Sequence, residues 1–170
     1  MATRYLLDAR SGHVSDHNGV AMKEIIYLIG SLRLPKVREV ASLLRSEGFE
    51  VFDDWHAAGP EADDIWQKYE QDRGHDYLTA IGGWHAKNVF EFDERHLSRA
   101  GLGVLMLPAG KSGHMELGYL LGKGKRGYVL FDKEPERWDI MYRFATGLFI
   151  DQNSLIAELK SPGKHWESNP

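Results

Sequence analysis

The chain has no cysteine among its 170 residues. Disulfides, thiolate metal sites and a cysteine nucleophile are thereby excluded. It also lacks a basic excess: 21 Lys and Arg stand against 25 Asp and Glu, a net charge of −4. A nucleic-acid polymer is therefore not an expected partner. No apolar stretch approaches the length of a membrane span. The opening Met1-Ala2-Thr3-Arg4-Tyr5-Leu6-Leu7-Asp8 lacks the apolar core of a signal peptide. A cytoplasmic protein without membrane contact is the expectation. Neither a Walker loop nor a GxGxxG fingerprint is present. His56, His75, His85, His96 and His114 lack the paired spacing of a metal site, so no metal is expected and these rings are expected in solvent.

What is present is a regular alternation. Ile25-Ile26-Tyr27-Leu28-Ile29 is a short continuous apolar run, as in a buried parallel strand. Pro35 then opens a helix, Val37, Val40, Ala41 and Leu44 recur at helical spacing, and Gly48 ends it. Phe49 to Phe52 reads as strand two, Leu102 to Leu107 as strand three, Gly127 to Phe131 as strand four and Leu148 to Ile150 as strand five. Helices are expected over 85–99, from Gly113 to Lys123 and from about Asn153 to Lys160. Residues 55–84 are the least regular part, with a helix expected only from Glu61 to Arg73. Residues 1–24 read as an arm, 25–160 as one α/β domain carrying the aromatic-rich insertion 55–84, and 161–170 as a polar tail. Strands alternating with helices imply a parallel sheet with helices on both faces. The expected architecture is a five-stranded flavodoxin-like (Rossmann-like) sheet of order 2-1-3-4-5. Ligands then bind at the carboxyl ends of strands one and three.

Two loops meet there. Gly30-Ser31-Leu32-Arg33 follows strand one; a tight turn, a hydroxyl and a forked cation suit an anion. A plain strand-to-helix turn with Arg33 in solvent would use the same residues. Pro108 to His114 follows strand three, and Glu116 is expected in the first turn of the next helix, where the dipole favours a carboxylate. Gly118 is expected to permit close approach of a neighbouring element. Asp53 and Asp54 end strand two, suited equally to sugar hydroxyls or to a turn. Trp55, Trp66 and Trp84 suit either stacking on a base or a small satellite core.

Taken in order, Gly30-Ser31-X-Arg33, an Asp on the helix before strand three, and Gly113-X-X-Glu116-Leu117-Gly118 resemble the nucleoside 2-deoxyribosyltransferase superfamily. That superfamily includes the 2′-deoxynucleoside 5′-phosphate N-hydrolases. The resemblance spans residues 25 to 131. It implies that Glu116 is a nucleophile that takes the sugar as a covalent ester, and that Asp93 assists base departure or orients the sugar. It implies that Tyr27 is an aromatic neighbour of the nucleophile. It further implies a phosphate-binding turn at Ser31 and Arg33, with a Ser112 hydroxyl in the same pocket; Gly30, Asp53, Gly113 and His114 are expected on the substrate side by their places in these loops. Ser31 with Arg33 leans towards a phosphorylated substrate. His114 departs from the pattern, where a small or hydroxylated residue is expected, and the 55–84 insertion leaves the base open. The implied partner is a small-molecule nucleoside or nucleotide, with no cofactor, in a homo-oligomer. Two other readings compete: an NAD-cleaving domain of the TIR type, disfavoured by the Gly-Ser-X-Arg turn and the Glu-Leu-Gly helix start, and a nucleotide-binding sensor without turnover.

Overall fold

The computed structural model describes residues 24–161, together with the backbone of a two-residue antiparallel ladder, Leu6–Leu7 with Val14–Ser15. The rest of the expected arm and all but the first residue of the expected tail lie outside the described residues. The main sheet is built from β1 (Ile25–Ile29), β2 (Glu50–Phe52), β3 (Leu102–Met106), β4 (Arg126–Leu130) and β5 (Gly147–Phe149). All are parallel, in the order β2-β1-β3-β4-β5, the flavodoxin-like arrangement. Each strand lies within a residue of its expected bounds, because continuous apolar runs flanked by Gly or Pro leave little freedom.

The helices are α1 (Lys36–Ser46), α2 (Ala62–Asp72), α3 (Tyr77–Ile81), α4 (Trp84–Arg99), α5 (Lys111–Gly122) and α6 (Gln152–Lys160). The period of two along β1 assigns its residues to opposite faces. Ile26 and Leu28 join the core formed with Val37, Val40, Ala41 and Leu44 of α1 and Leu155, Ile156 and Leu159 of α6. Tyr27 and Ile29 join the other core, with Leu97 of α4 and Leu117 and Leu120 of α5. The strand period thus delivers Tyr27 to the same layer as α4 and α5.

Small residues let α5 lie close to the sheet. A side chain at Gly103 of β3 would overlap Leu120 Cδ1, and one at Gly127 of β4 would come within 2.6 Å of Leu117 Cδ1. Gly113, in the first turn of α5, would meet Leu105 Cδ1 at 3.1 Å and Ile29 Cγ2 at 3.2 Å. The start of α5 is therefore pressed against the end of β1.

Several expectations need correction. The 55–84 stretch is mostly helical: a 3-10 turn at Asp54–Ala58, then α2 and α3, with α4 beginning at Trp84. Asp76 caps α3 by accepting the Thr79 N–H at 2.9 Å. Helix α5 starts at Lys111, two residues before Gly113, so Glu116 is its sixth residue and lies in the second turn. Its N-cap is Gly110, with no side-chain cap bond to mark the start. Gly118 has nothing within 4 Å of an added Cβ, so no described element approaches it.

Candidate active site

Glu116 on α5, Asp93 on α4 and Tyr27 on β1 form one electrostatic group. Burial pushes the Glu116 carboxyl up to about 7, and the nearby Asp93 carboxylate adds to the shift. Burial also raises Asp93 above the usual carboxylate range. Tyr27 is 1% exposed. Burial, then Glu116 and Asp93, hold its phenol far above its ordinary value, so it keeps its proton. Among the described residues no cation or hydrogen-bond donor meets Glu116. The expectation that the helix dipole keeps this carboxyl ionised therefore fails: the dipole acts within the first turn, and Glu116 lies beyond it.

An aromatic wall adjoins this group. Tyr27 and Phe52 pair across β1 and β2 with ring centroids 5.1 Å apart. The His96 ring stacks on Phe52 at 4.0 Å and 10°, and Phe92 lies 4.7 Å from His96. The sequence reading missed Phe52, Phe92 and His96. The spacing Phe92, Asp93, His96 on one helix was the available signal. The expected solvent exposure of the histidines holds for His85 and His114 only. His56 is buried against Arg38 Nε at 3.3 Å and the Leu34 carbonyl at 3.2 Å. His75 and His96 are half-buried.

The other expected residues are placed as follows. Ser31 Oγ accepts the Arg33 N–H at 3.2 Å, ordering the turn after β1. Arg33 Nη2 donates to Asp64 Oδ2 of α2 at 2.6 Å, an ion pair the sequence did not suggest. A Cβ on Gly30 would meet Val37 Cγ2 at 3.2 Å, so the turn packs tightly on α1. Asp53 is bound to Arg45 of α1. Ser112 is exposed in the first turn of α5. His114 Nδ1–H donates to the Gly110 carbonyl at 2.9 Å, leaving Nε2 to accept from Tyr142 O–H at 2.9 Å. Tyr142 was missed as its partner. Trp55 donates its indole N–H to the Leu28 carbonyl at 2.8 Å and packs on both main cores, so it belongs to neither a base-stacking surface nor a separate satellite core. Trp84 is 79% exposed.

Cavities that indent the described surface include two on its helical side. One, about 170 Å³, lies on the outer side of α5 between His114 and Tyr142; the other, about 290 Å³, lies between α2 and the start of α4. Neither is lined by Glu116, Asp93 or Tyr27. The raised carboxyls, rather than either of these cavities, make Glu116 and Asp93 the candidate centre. Among the described residues no group of three or more His, Asp or Glu side chains could hold a metal ion.

No protein-family model matches the chain, and no curated protein matches it in sequence. Solved structures do match in fold. A CMP N-glycosidase of Clostridium botulinum superposes with a TM-score of 0.50 at 13% identity, covering 81% of this chain and 99% of that one. A 2-deoxyribosyltransferase of Bacillus psychrosaccharolyticus superposes with a TM-score of 0.55 at 19% identity, covering 78% and 90%. The chain therefore shares the α/β fold of two enzymes whose names state action on N-glycosidic bonds or transfer of a deoxyribosyl group.

Proposed function

We propose that this protein cleaves the N-glycosidic bond of a (deoxy)nucleoside or its 5′-monophosphate, with Glu116 as nucleophile and Asp93 as its acid–base partner. The observation that carries the reading is the pair of half-buried carboxylates beside Tyr27 with no cation against Glu116 among the described residues, whose carboxyl is raised to about 7. Two such groups do not ionise independently, so the pair retains one shared proton until about that pH. Perturbed acids left without a cation are typical of reaction centres. The shared fold with enzymes of N-glycosidic chemistry supports the reading, as does the resemblance of residues 25 to 131.

In the first step a Glu116 carboxylate oxygen bonds to the anomeric carbon. The carbon–nitrogen bond breaks, its electron pair goes to the base, and Asp93 supplies the proton that the departing base takes up. In the second step water, or the nitrogen of another base, attacks the same carbon. The Glu116 ester bond breaks and Asp93 recovers a proton from the attacking group. Tyr27, still protonated, serves as a hydrogen-bond donor towards the carboxylates or the sugar. A homo-oligomeric cytoplasmic enzyme with a nucleoside-type partner belongs to the same reading.

The test is incubation with a panel of nucleosides, 2′-deoxynucleosides, their 5′-monophosphates and NAD, with free base separated by chromatography. Base release from a member of the nucleoside series is expected. Release from NAD alone would replace this reading with an NAD-cleaving one. Binding without release from any member would leave a sensor.

A further inference from the structure

The turn after β1 holds a cation that the carboxylate pair does not use. Arg33 cannot lose its charge in a protein. Its guanidinium is occupied by Asp64 Oδ2 at 2.6 Å, from the first turn of α2. Asp64 has carboxylate neighbours in its own turn, Glu61 at the N-cap and Asp63 beside it. The dipole of an eleven-residue helix favours an anion where Asp64 stands. The turn follows directly on Ile29, whose side chain lies against Gly113 in the first turn of α5, the helix that carries Glu116.

A carboxylate and a phosphoryl group offer a guanidinium the same kind of oxygen. A 5′-phosphate directed to Arg33 would have to share the guanidinium with Asp64 or displace it, next to the acidic first turn of α2. A free 5′-hydroxyl meets neither obstacle. We propose that Asp64 is a specificity-determining residue: an internal anion that occupies Arg33 and turns the site towards nucleosides with a free 5′-hydroxyl, against 5′-monophosphates. This rests on the reading above that the Glu116–Asp93 pair releases a base. It reverses the lean towards phosphorylated substrates that Ser31 and Arg33 suggest when read without their tertiary partner. Both side chains of the pair are 63% exposed, so the discrimination is a matter of several-fold, and salt weakens it.

The experiment compares kcat/KM for the four 2′-deoxynucleosides and their 5′-monophosphates in the wild type, Asp64→Asn, and Asp64→Asn combined with Arg33→Gln. The wild type is expected to prefer the nucleoside. Asp64→Asn should raise the monophosphate-to-nucleoside ratio about fivefold, through KM rather than kcat. Adding Arg33→Gln should remove that gain. An unchanged ratio in Asp64→Asn, or a gain that survives Arg33→Gln, overturns the proposal. A thermal melt checks that the variants fold. If no substrate loses its base, the reading of Glu116 has failed, and calorimetric titration with the same monophosphates still decides on Asp64. Tighter binding by Asp64→Asn supports its role, and equal binding refutes it.

Discussion

Glu70 and Glu116 are glutamates withdrawn from solvent on helices of the same protein, and the fold treats them in opposite ways. Glu70 on α2 is 5% exposed. It is met by His75 Nδ1 at 2.6 Å and by Arg73 Nη1 at 3.7 Å. Glu116 on α5 is half-buried and faces another acid, Asp93, with no cation among the described residues. A buried carboxylate that only supports structure comes with its counter-charge, because an unpaired one is costly. A carboxylate that must react can be left short of partners, and the cost then appears as a raised pKa. The difference supports Glu116 rather than Glu70 as the proposed reactive residue, although Glu70 lines a cavity of about 290 Å³.

Glu116→Gln should reduce base release by at least about 10³-fold, since it removes the nucleophile outright. Near wild-type release would end the proposed mechanism. Asp93→Asn should cost about 10²-fold, the usual worth of a general acid–base group. It should also abolish the alkaline limb of the pH–rate profile. In the wild type that limb is expected near pH 7, where the carboxylate pair gives up its shared proton. A profile flat from pH 6 to 9 would contradict a shared proton.

The stability of the fold supplies the next contrast. Glu116 binds its proton more tightly folded than unfolded, with a pKa of about 7 against the ordinary value of 4.5. That contribution is fully present below the unfolded pKa and is lost as pH rises through about 7. Between pH 4.5 and 7 the wild type should therefore lose on the order of 2–3 kcal/mol that Glu116→Gln does not lose. Urea unfolding at pH 5 and pH 8 measures this, and parallel stabilities for the two proteins would argue against the shift. The smallest effect is expected at the compensated glutamate. Glu70→Gln should destabilise by about 1–2 kcal/mol at pH 7, because His75 and Arg73 keep partial access to water. Base release should persist in that variant, and its loss would erase the distinction between the two residues.

The strands were legible because local chemistry decides them: an apolar run ended by Gly30-Ser31 or by Pro108 has few alternatives as a buried parallel strand. The start of α5 was not, since Gly110 marks it with no side-chain cap, and two residues of error moved Glu116 out of the reach of the helix dipole. The insertion misled for a related reason. Its Gly and Trp residues suggest irregularity outside the expected helix at Glu61 to Arg73, yet α3 forms there too and α4 begins at Trp84.

Residue order thus made the strands and their alternation with helices legible, because periodicity and turn residues act over a few positions, and that alternation implied the parallel sheet. What the candidate acids and cations meet depends on packing between distant segments. Asp93 lies 23 positions from Glu116, and Asp64 lies 31 positions from Arg33. Whether a charge at such a separation finds an opposite partner, a like one or none depends on how helices seat on the sheet. Electrostatic energy falls with distance through space and is indifferent to distance along the chain.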